Sequence, residues 1–216
     1  MILRLFDKSS LEKLGLLPSR KRLINFLAGL VIACVCSAIY FESLALLSKS
    51  SISINKHYSL PIFLSSFWWI SRSVLFEEFL FRGVLLYIAA KHLGAKTACI
   101  LSAIAFGVYH WFSYGILGNI AQMAFIFLLT GVAGLLFAYC FVRTQSMYLQ
   151  TALHLGWNLI SIVVFSQGPL PTQLLEVTKG IQIGVMFSIL LFLFQLLSMP
   201  VVTAYYLNRR FNISRK

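Results

Sequence analysis

Long apolar runs separated by short polar stretches dominate the chain. Several of these runs reach the roughly 20 residues that an α-helix needs to cross the hydrocarbon core of a bilayer. No run alternates as the strands of a membrane barrel do, so the pattern favours helices, which satisfy their own backbone hydrogen bonds within lipid. We predict six membrane helices, over residues 23–47, 60–90, 97–112, 117–142, 147–166 and 181–206.

The predicted elements describe an all-α fold, a polytopic transmembrane helical bundle without a separate soluble domain. A basic cytoplasmic segment at 1–22 precedes the transmembrane domain at 23–208, and a basic cytoplasmic tail follows at 209–216. The composition agrees, because 59% of the residues are hydrophobic and only 11% are charged. A soluble domain carries about 25% charged residues, so most of this surface is adapted to lipid.

The net charge of +12 raises the question of nucleic-acid binding, but its distribution argues for membrane topology instead. Basic residues gather beside the first and the last apolar run, as the positive-inside rule requires of cytoplasmic flanks. We therefore predict that both termini lie in the cytoplasm next to anionic lipid of the bilayer. No nucleic-acid partner is expected.

Ionisable residues within the second predicted helix form the first unusual cluster. The adjacent residues Glu77 and Glu78 are followed by Arg82, and a charged group at membrane depth costs roughly 3 kcal/mol or more. Glu78 and Arg82 are four residues apart on one helix face, which suits an ion pair, and a structural ion network explains them equally well. Glu77 is turned about 100° away from Glu78. The Glu78–Arg82 pair therefore neutralises Glu77 less effectively, and the Glu77 carboxylate can serve as a general base.

Two further polar clusters lie in the third and the fifth predicted helix. The first is Phe106 with His110, and a single histidine near a membrane interface is usually a polar tip among aromatic side chains. The second is His154 with Asn158, which project from one helix face because they are four residues apart. They either join helices or direct two donors at a developing oxyanion. Gly156 between them allows a backbone or a substrate to approach closely.

Together, the three clusters resemble the motifs of the CPBP family, which comprises the type II CAAX prenyl proteases and the bacterial Abi proteins. The motifs occur in order as Glu-Glu-x-x-x-Arg at 77–82, Phe-x-x-x-His at 106–110 and His-x-x-x-Asn at 154–158. The resemblance covers about residues 73–160, the motif core. The leader at 14–18, with basic residues and a membrane helix behind it, is similar to that of bacterial members, which implies a bacterial cytoplasmic membrane.

The resemblance implies an α-helical intramembrane peptidase core and assigns roles within it. Glu77 would activate water, His110 would orient that water or bind a metal, and His154 with Asn158 would stabilise the oxyanion. The residues that would support this geometry are Glu78, Arg82 and Phe106. These groups supply peptide hydrolysis without a metal, so no cofactor is required. Zinc held by Glu77, His110 and His154 is the alternative, although the chain lacks a His-Glu-x-x-His motif.

We therefore expect an intramembrane endopeptidase that cleaves a membrane protein or a lipidated, CAAX-like peptide segment. The alternative is a non-catalytic protein of the same family, acting in bacteriocin self-immunity or as a membrane scaffold. A proton-coupled transporter is less favoured. Buried glutamate and histidine also build proton relays, but the chain shows no internal repeat.

Overall fold

The computed structural model describes residues 14–165 and 170–212. The predicted basic segment at 1–22 is therefore described only from residue 14, and the predicted tail at 209–216 only as far as residue 212. The basic residues beyond these limits lie outside the described ranges: Arg4, Lys8, Lys13, Arg215 and Lys216.

Seven α-helices and one π-helix make up most of the described chain, which confirms the predicted all-α helical bundle. The α-helices are α1 Arg20–Leu47, α2 Leu60–Arg82, α3 Val84–Leu93, α4 Ala95–Ser113, α5 Ile120–Thr144, α6 Tyr148–Asn158 and α7 Val185–Asn212. The π-helix Leu159–Val164 continues α6 directly. Such π-segments are often found beside functional sites.

The single helix predicted over 60–90 is wrong, because the chain breaks at Gly83 into α2 and α3. Gly83 has a ψ of −128°, outside the helical region. A Cβ at this position would clash with the carbonyl oxygen of Phe79, so only glycine fits. The charged cluster therefore stands at the very end of α2, with Arg82 as its last residue.

Three of the described helices are long and apolar enough to cross a bilayer, namely α1, α5 and α7. The chain is accordingly an integral membrane protein. The number of membrane passes, the bacterial membrane and the orientation of the termini stay predictions.

Two glycines bring α1 against α6, the helix that carries His154. A Cβ at Gly156 would lie 2.8 Å from the carbonyl oxygen of Leu30, and a Cβ at Gly29 would lie 2.8 Å from that of Leu149. The backbone that approaches Gly156 is thus that of α1. These two contacts hold α6 in a fixed position against the longest apolar helix of the amino-terminal half.

A two-stranded antiparallel sheet connects the α1–α2 loop with the segment before α7. Strand β1, Ile52–Ile54, pairs with β2, Leu175–Val177, with Ser53 opposite Glu176. The prediction of a loop over residues 49–59 is therefore wrong for Ile52–Ile54. Strands of three residues are too short for an alternating pattern to identify them.

The apolar core next to the predicted site residues is built from five helices. One buried cluster contains Ala33 of α1, Phe106 of α4, Phe137 of α5, Leu149 and Leu153 of α6 and Met199 of α7. Since α4 and α6 carry the predicted histidines, this core fixes both of them relative to α2.

Candidate active site

Three charged side chains occupy the buried face of α2. Glu77 is 9% exposed, while Glu78 and Arg82 are completely buried. They share this face with the buried residues Ile70 and Val74, so α2 directs its charges into the bundle and away from lipid. Nη1 of Arg82 donates to Oε1 of Glu78 at 3.0 Å, so the predicted ion pair is present.

Aromatic rings surround the Arg82 guanidinium. Its Cζ atom lies 3.8 Å from the ring centroid of Phe106, 5.1 Å from that of Phe137 and 5.7 Å from that of Phe81. Nε and Nη2 are buried and have no hydrogen-bond partner within the described part of the chain. Cation–π attraction to these rings therefore compensates much of the cost of burying the charge.

Helix α6 adds His154 to the same cluster. Its Nδ1 lies 2.9 Å from Oε1 of Glu78, and its ring stacks on Phe137 with centroids 5.1 Å apart. Because the Glu78 carboxylate accepts hydrogen bonds from both Arg82 and His154, Nδ1 carries the proton in this contact. Nε2 is left to face Glu77, whose Oε2 lies 3.8 Å away.

Helix α4 contributes His110, which approaches the same glutamate. Its Nδ1 lies 2.8 Å from the carbonyl oxygen of Phe106. A carbonyl oxygen only accepts, so Nδ1 carries the proton here as well. Nε2 lies 3.8 Å from Oε2 of Glu77. Phe106 therefore has two functions, since its carbonyl orients His110 and its ring covers Arg82.

The two oxygens of the Glu77 carboxylate have different surroundings. Oε1 accepts a hydrogen bond of 3.3 Å from the hydroxyl of Ser73. Oε2 is buried, accepts no hydrogen bond from any described residue, and faces the two Nε2 atoms of His110 and His154. Each glutamate thus has one buried oxygen without a hydrogen bond, but the surroundings of the two carboxylates differ. Oε1 of Glu78 is bound by both Arg82 and His154, whereas Oε2 of Glu77 faces the two Nε2 atoms and lies in no ion pair with Arg82.

A comparison with known protein families gives a match that includes all of these charged residues. Residues 59–160 match the family model described as "Type II CAAX prenyl endopeptidase Rce1-like". The predicted resemblance is therefore confirmed over these residues, which we call the Rce1-like segment. They include every predicted site residue. No curated protein and no solved structure matches the chain.

A cavity of about 360 Å³ lies beside both histidines. The predicted site residues His110, His154 and Asn158 line it, together with Thr130 and several aromatic side chains of the Rce1-like segment. The remaining wall includes residues outside that segment: Tyr40, Phe41 and Leu44 of α1, Ser161 and Ile162 of the π-helix, and Gln195 and Met199 of α7. His154 and Asn158, predicted to share a helix face, both reach this cavity.

Several residues outside the predicted site contact the cluster, among them Ser73 and Phe137. Ser73 precedes Glu77 by four residues on α2, so a search for polar partners at helical spacing would have found it. Phe137 belongs to no motif and lies on α5, from which tertiary packing alone brings it to Arg82 and His154. No sequence signal identifies it.

The proposed zinc ligands can be tested against this geometry. Both histidines bind an acceptor through Nδ1, as zinc-binding histidines do. Neighbouring ligand atoms around zinc lie roughly 3.3 Å apart, whereas Oε2 of Glu77 lies 3.8 Å from each nitrogen. Within residues 14–165 and 170–212, no three His, Cys, Asp or Glu side chains are arranged to hold a metal ion. The residues as placed do not fit a metal, and the mechanism proposed below uses none.

Proposed function

We propose that this chain is an intramembrane endopeptidase in which Glu77 activates the attacking water. The observation that supports this most directly is the convergence of three groups. Oε2 of Glu77 faces Nε2 of His110 and Nε2 of His154, each at 3.8 Å. The match of residues 59–160 to a family model of endopeptidases supports peptide hydrolysis as the chemistry of this arrangement.

The proposed first step places a water molecule between Glu77 and the histidines. Such a water donates one hydrogen to Oε2 of Glu77 and the other to Nε2 of His110, whose ring is held by the Phe106 carbonyl. Glu77 takes a proton as the water oxygen forms a bond to the carbonyl carbon of the substrate. Because Glu77 is already positioned and little water surrounds it, few solvent molecules have to reorient during this step.

The proposed second step stabilises the oxyanion and releases the amine. Asn158 and His154 both reach the cavity, where the Asn158 amide donates to the developing negative charge. His154 donates from Nε2 in its protonated form, because its Nδ1 is engaged by Glu78. The C–N bond then breaks, and the leaving amine takes up the proton that Glu77 removed from water.

The substrate class follows from the cavity and the membrane location. Aromatic and aliphatic side chains line most of the wall around the histidines, including Phe41, Leu44 and Phe137. Such a wall binds apolar surface, and the surrounding bilayer concentrates membrane-bound proteins. The proposed substrate is therefore an apolar or lipidated protein segment at the membrane, of the CAAX-like type.

The test compares new protein N-termini in cells that produce wild type, Glu77→Gln or Glu42→Gln at matched membrane levels. Glu42 is an exposed glutamate on α1, so Glu42→Gln makes the same chemical change away from the site. We expect wild type and Glu42→Gln to give the same new termini. Glu77→Gln should reduce their formation by at least about 100-fold, the usual effect of losing a general base.

Three other results would contradict the proposal or favour one of the alternative functions. Identical termini in all three strains would overturn the endopeptidase proposal. If an immunity phenotype then survived Glu77→Gln, a non-catalytic role would explain it. Uptake that depends on a proton gradient and is lost in Glu77→Gln, without any change in termini, would indicate a transporter.

A further inference from the structure

The carboxamide of Gln195 interrupts the most apolar stretch of α7. Between residues 189 and 197, Gln195 is the only polar residue. Polar side chains in membrane helices are costly, and they usually face a cavity or a partner for a functional reason. Gln195 is partly buried and forms no hydrogen bond with any residue in the described ranges. Its amide therefore remains available to a ligand.

The position of Gln195 connects it with the candidate active site. It lines the same cavity as His110, His154 and Asn158. Helix α7 lies outside residues 59–160, so this contribution does not come from the Rce1-like segment. The two histidines, Asn158 and this carboxamide thus reach one cavity from separate parts of the chain.

We propose that Gln195 binds the main chain of the substrate and helps to select which segment is presented to Glu77. This inference rests on the proposed function. A peptide that enters a membrane cavity in extended form brings N–H and C=O groups that must be paired. A carboxamide offers both a donor and an acceptor, so it matches a peptide group from one side. Gln195 is a substrate-binding residue in this scheme and takes no part in the chemical steps.

Binding of this kind has a kinetic signature. A contact to the main chain away from the reacting carbonyl is equally strong in the bound substrate and in the transition state. Losing such a contact raises KM and leaves kcat nearly unchanged. A glutamine that only joins helices would instead affect the stability of the bundle when it is replaced.

The experiment uses the purified full chain in lipid nanodiscs and a synthetic peptide that spans the cleavage site found in cells. Gln195→Met preserves much of the side-chain volume and removes both hydrogen-bonding atoms. We expect it to raise KM about tenfold, the effect of losing one or two neutral hydrogen bonds. The kcat and the thermal unfolding temperature should stay at the wild-type values. Gln182→Met, in the exposed segment before α7, is the matched control and should behave as wild type.

Gln195→Ala provides a second variant, with the same expected rise in KM. An unchanged KM in both Gln195 variants would overturn the proposal. So would a loss of kcat without a change in KM, or a failure of both variants to fold while Gln182→Met folds normally. If wild type and Glu77→Gln give the same termini in cells, the proposed function fails and this inference fails with it. If wild type cleaves the peptide and both Gln195 variants have the wild-type KM and kcat, this inference fails while the proposed function stands.

Discussion

At the level of single residues, the adjacent glutamates differ because their side chains leave the helix in directions about 100° apart. Each residue along an α-helix is rotated by about 100°, so Glu78 meets Arg82 and His154 while Glu77 meets Ser73 and the open side of the cluster. The Arg82 charge balances Glu78, and the Phe106 and Phe137 rings cover the guanidinium. Glu77 therefore lies next to the Ser73 hydroxyl and the imidazoles of His110 and His154, and it forms no ion pair with Arg82.

Replacing Ser73 tests whether this hydroxyl positions the Glu77 carboxylate. Ser73→Ala removes the donor to Oε1, and the carboxylate can then rotate away from the two histidines. We expect kcat/KM for the cellular cleavage-site peptide to fall about tenfold, the effect of losing a hydrogen bond to a charged group. Ser73→Thr retains a hydroxyl and should recover most of that loss.

Ser65→Ala is the matched control for this prediction. Ser65 also lies on α2, is exposed, and donates to the Ile62 carbonyl of its own helix. Its removal should leave kcat/KM at the wild-type value. Wild-type kinetics in Ser73→Ala, together with an inactive Glu77→Gln, would show that the carboxylate needs no support from Ser73.

At the level of elements, contacts within one helix were predictable from spacing and contacts between helices were not. The pairs Glu78–Arg82 and His154–Asn158 follow from a separation of four residues. The hydrogen bond between His154 and Glu78 joins residues 76 positions apart, and only tertiary packing creates it. The break at Gly83 was also missed, since glycine within an apolar run indicates a bend only when the backbone conformation is known.

Helix packing at Gly156 leads to a prediction about stability. In Gly156→Ala the new Cβ would lie 2.8 Å from the Leu30 carbonyl oxygen and 3.0 Å from the Ala33 Cβ, so α1 and α6 must move apart. We expect a loss of about 1–3 kcal/mol from this overpacking. For a chain of this size, that lowers the thermal unfolding temperature in detergent by roughly 2–4 °C per kcal/mol.

Gly184→Ala is the control for the same change of residue. A Cβ at Gly184 would meet no atom within 4 Å, so the unfolding temperature should stay at the wild-type value. Equal unfolding temperatures for Gly156→Ala and wild type would show that α1 and α6 can separate without cost. The close packing of Gly156 against Leu30 would then not contribute to stability.

At the level of the whole molecule, the start of α1 and the end of α7 lie at the same end of the bundle. The Tyr206 hydroxyl near the end of α7 donates to the Asn25 side chain near the start of α1 at 2.7 Å. The β1–β2 sheet joins the segment after α1 to the segment before α7, at the opposite ends of these two helices. The Tyr148 hydroxyl at the start of α6 donates to the Leu16 carbonyl, so α6 begins at the end of the bundle where α1 starts. His154 follows Tyr148 by six residues, which places it roughly 9 Å along the helix from that end.

Because of this geometry, the side of the membrane on which the termini lie determines which leaflet is nearer to the candidate active site. With cytoplasmic termini, as the basic flanks predict, the cluster of Glu77, His110 and His154 lies nearer the cytoplasmic leaflet. In intact spheroplasts, a membrane-impermeant maleimide should label Lys179→Cys beside β2, and should label Arg210→Cys only after permeabilisation. Wild type gives the background from the native cysteines, of which Cys36, Cys99 and Cys140 are buried and Cys34 is partly buried. The reverse labelling pattern would place the cluster near the outer leaflet, where a lipidated cytoplasmic protein could not reach Glu77, and the CAAX-like substrate class would have to be abandoned.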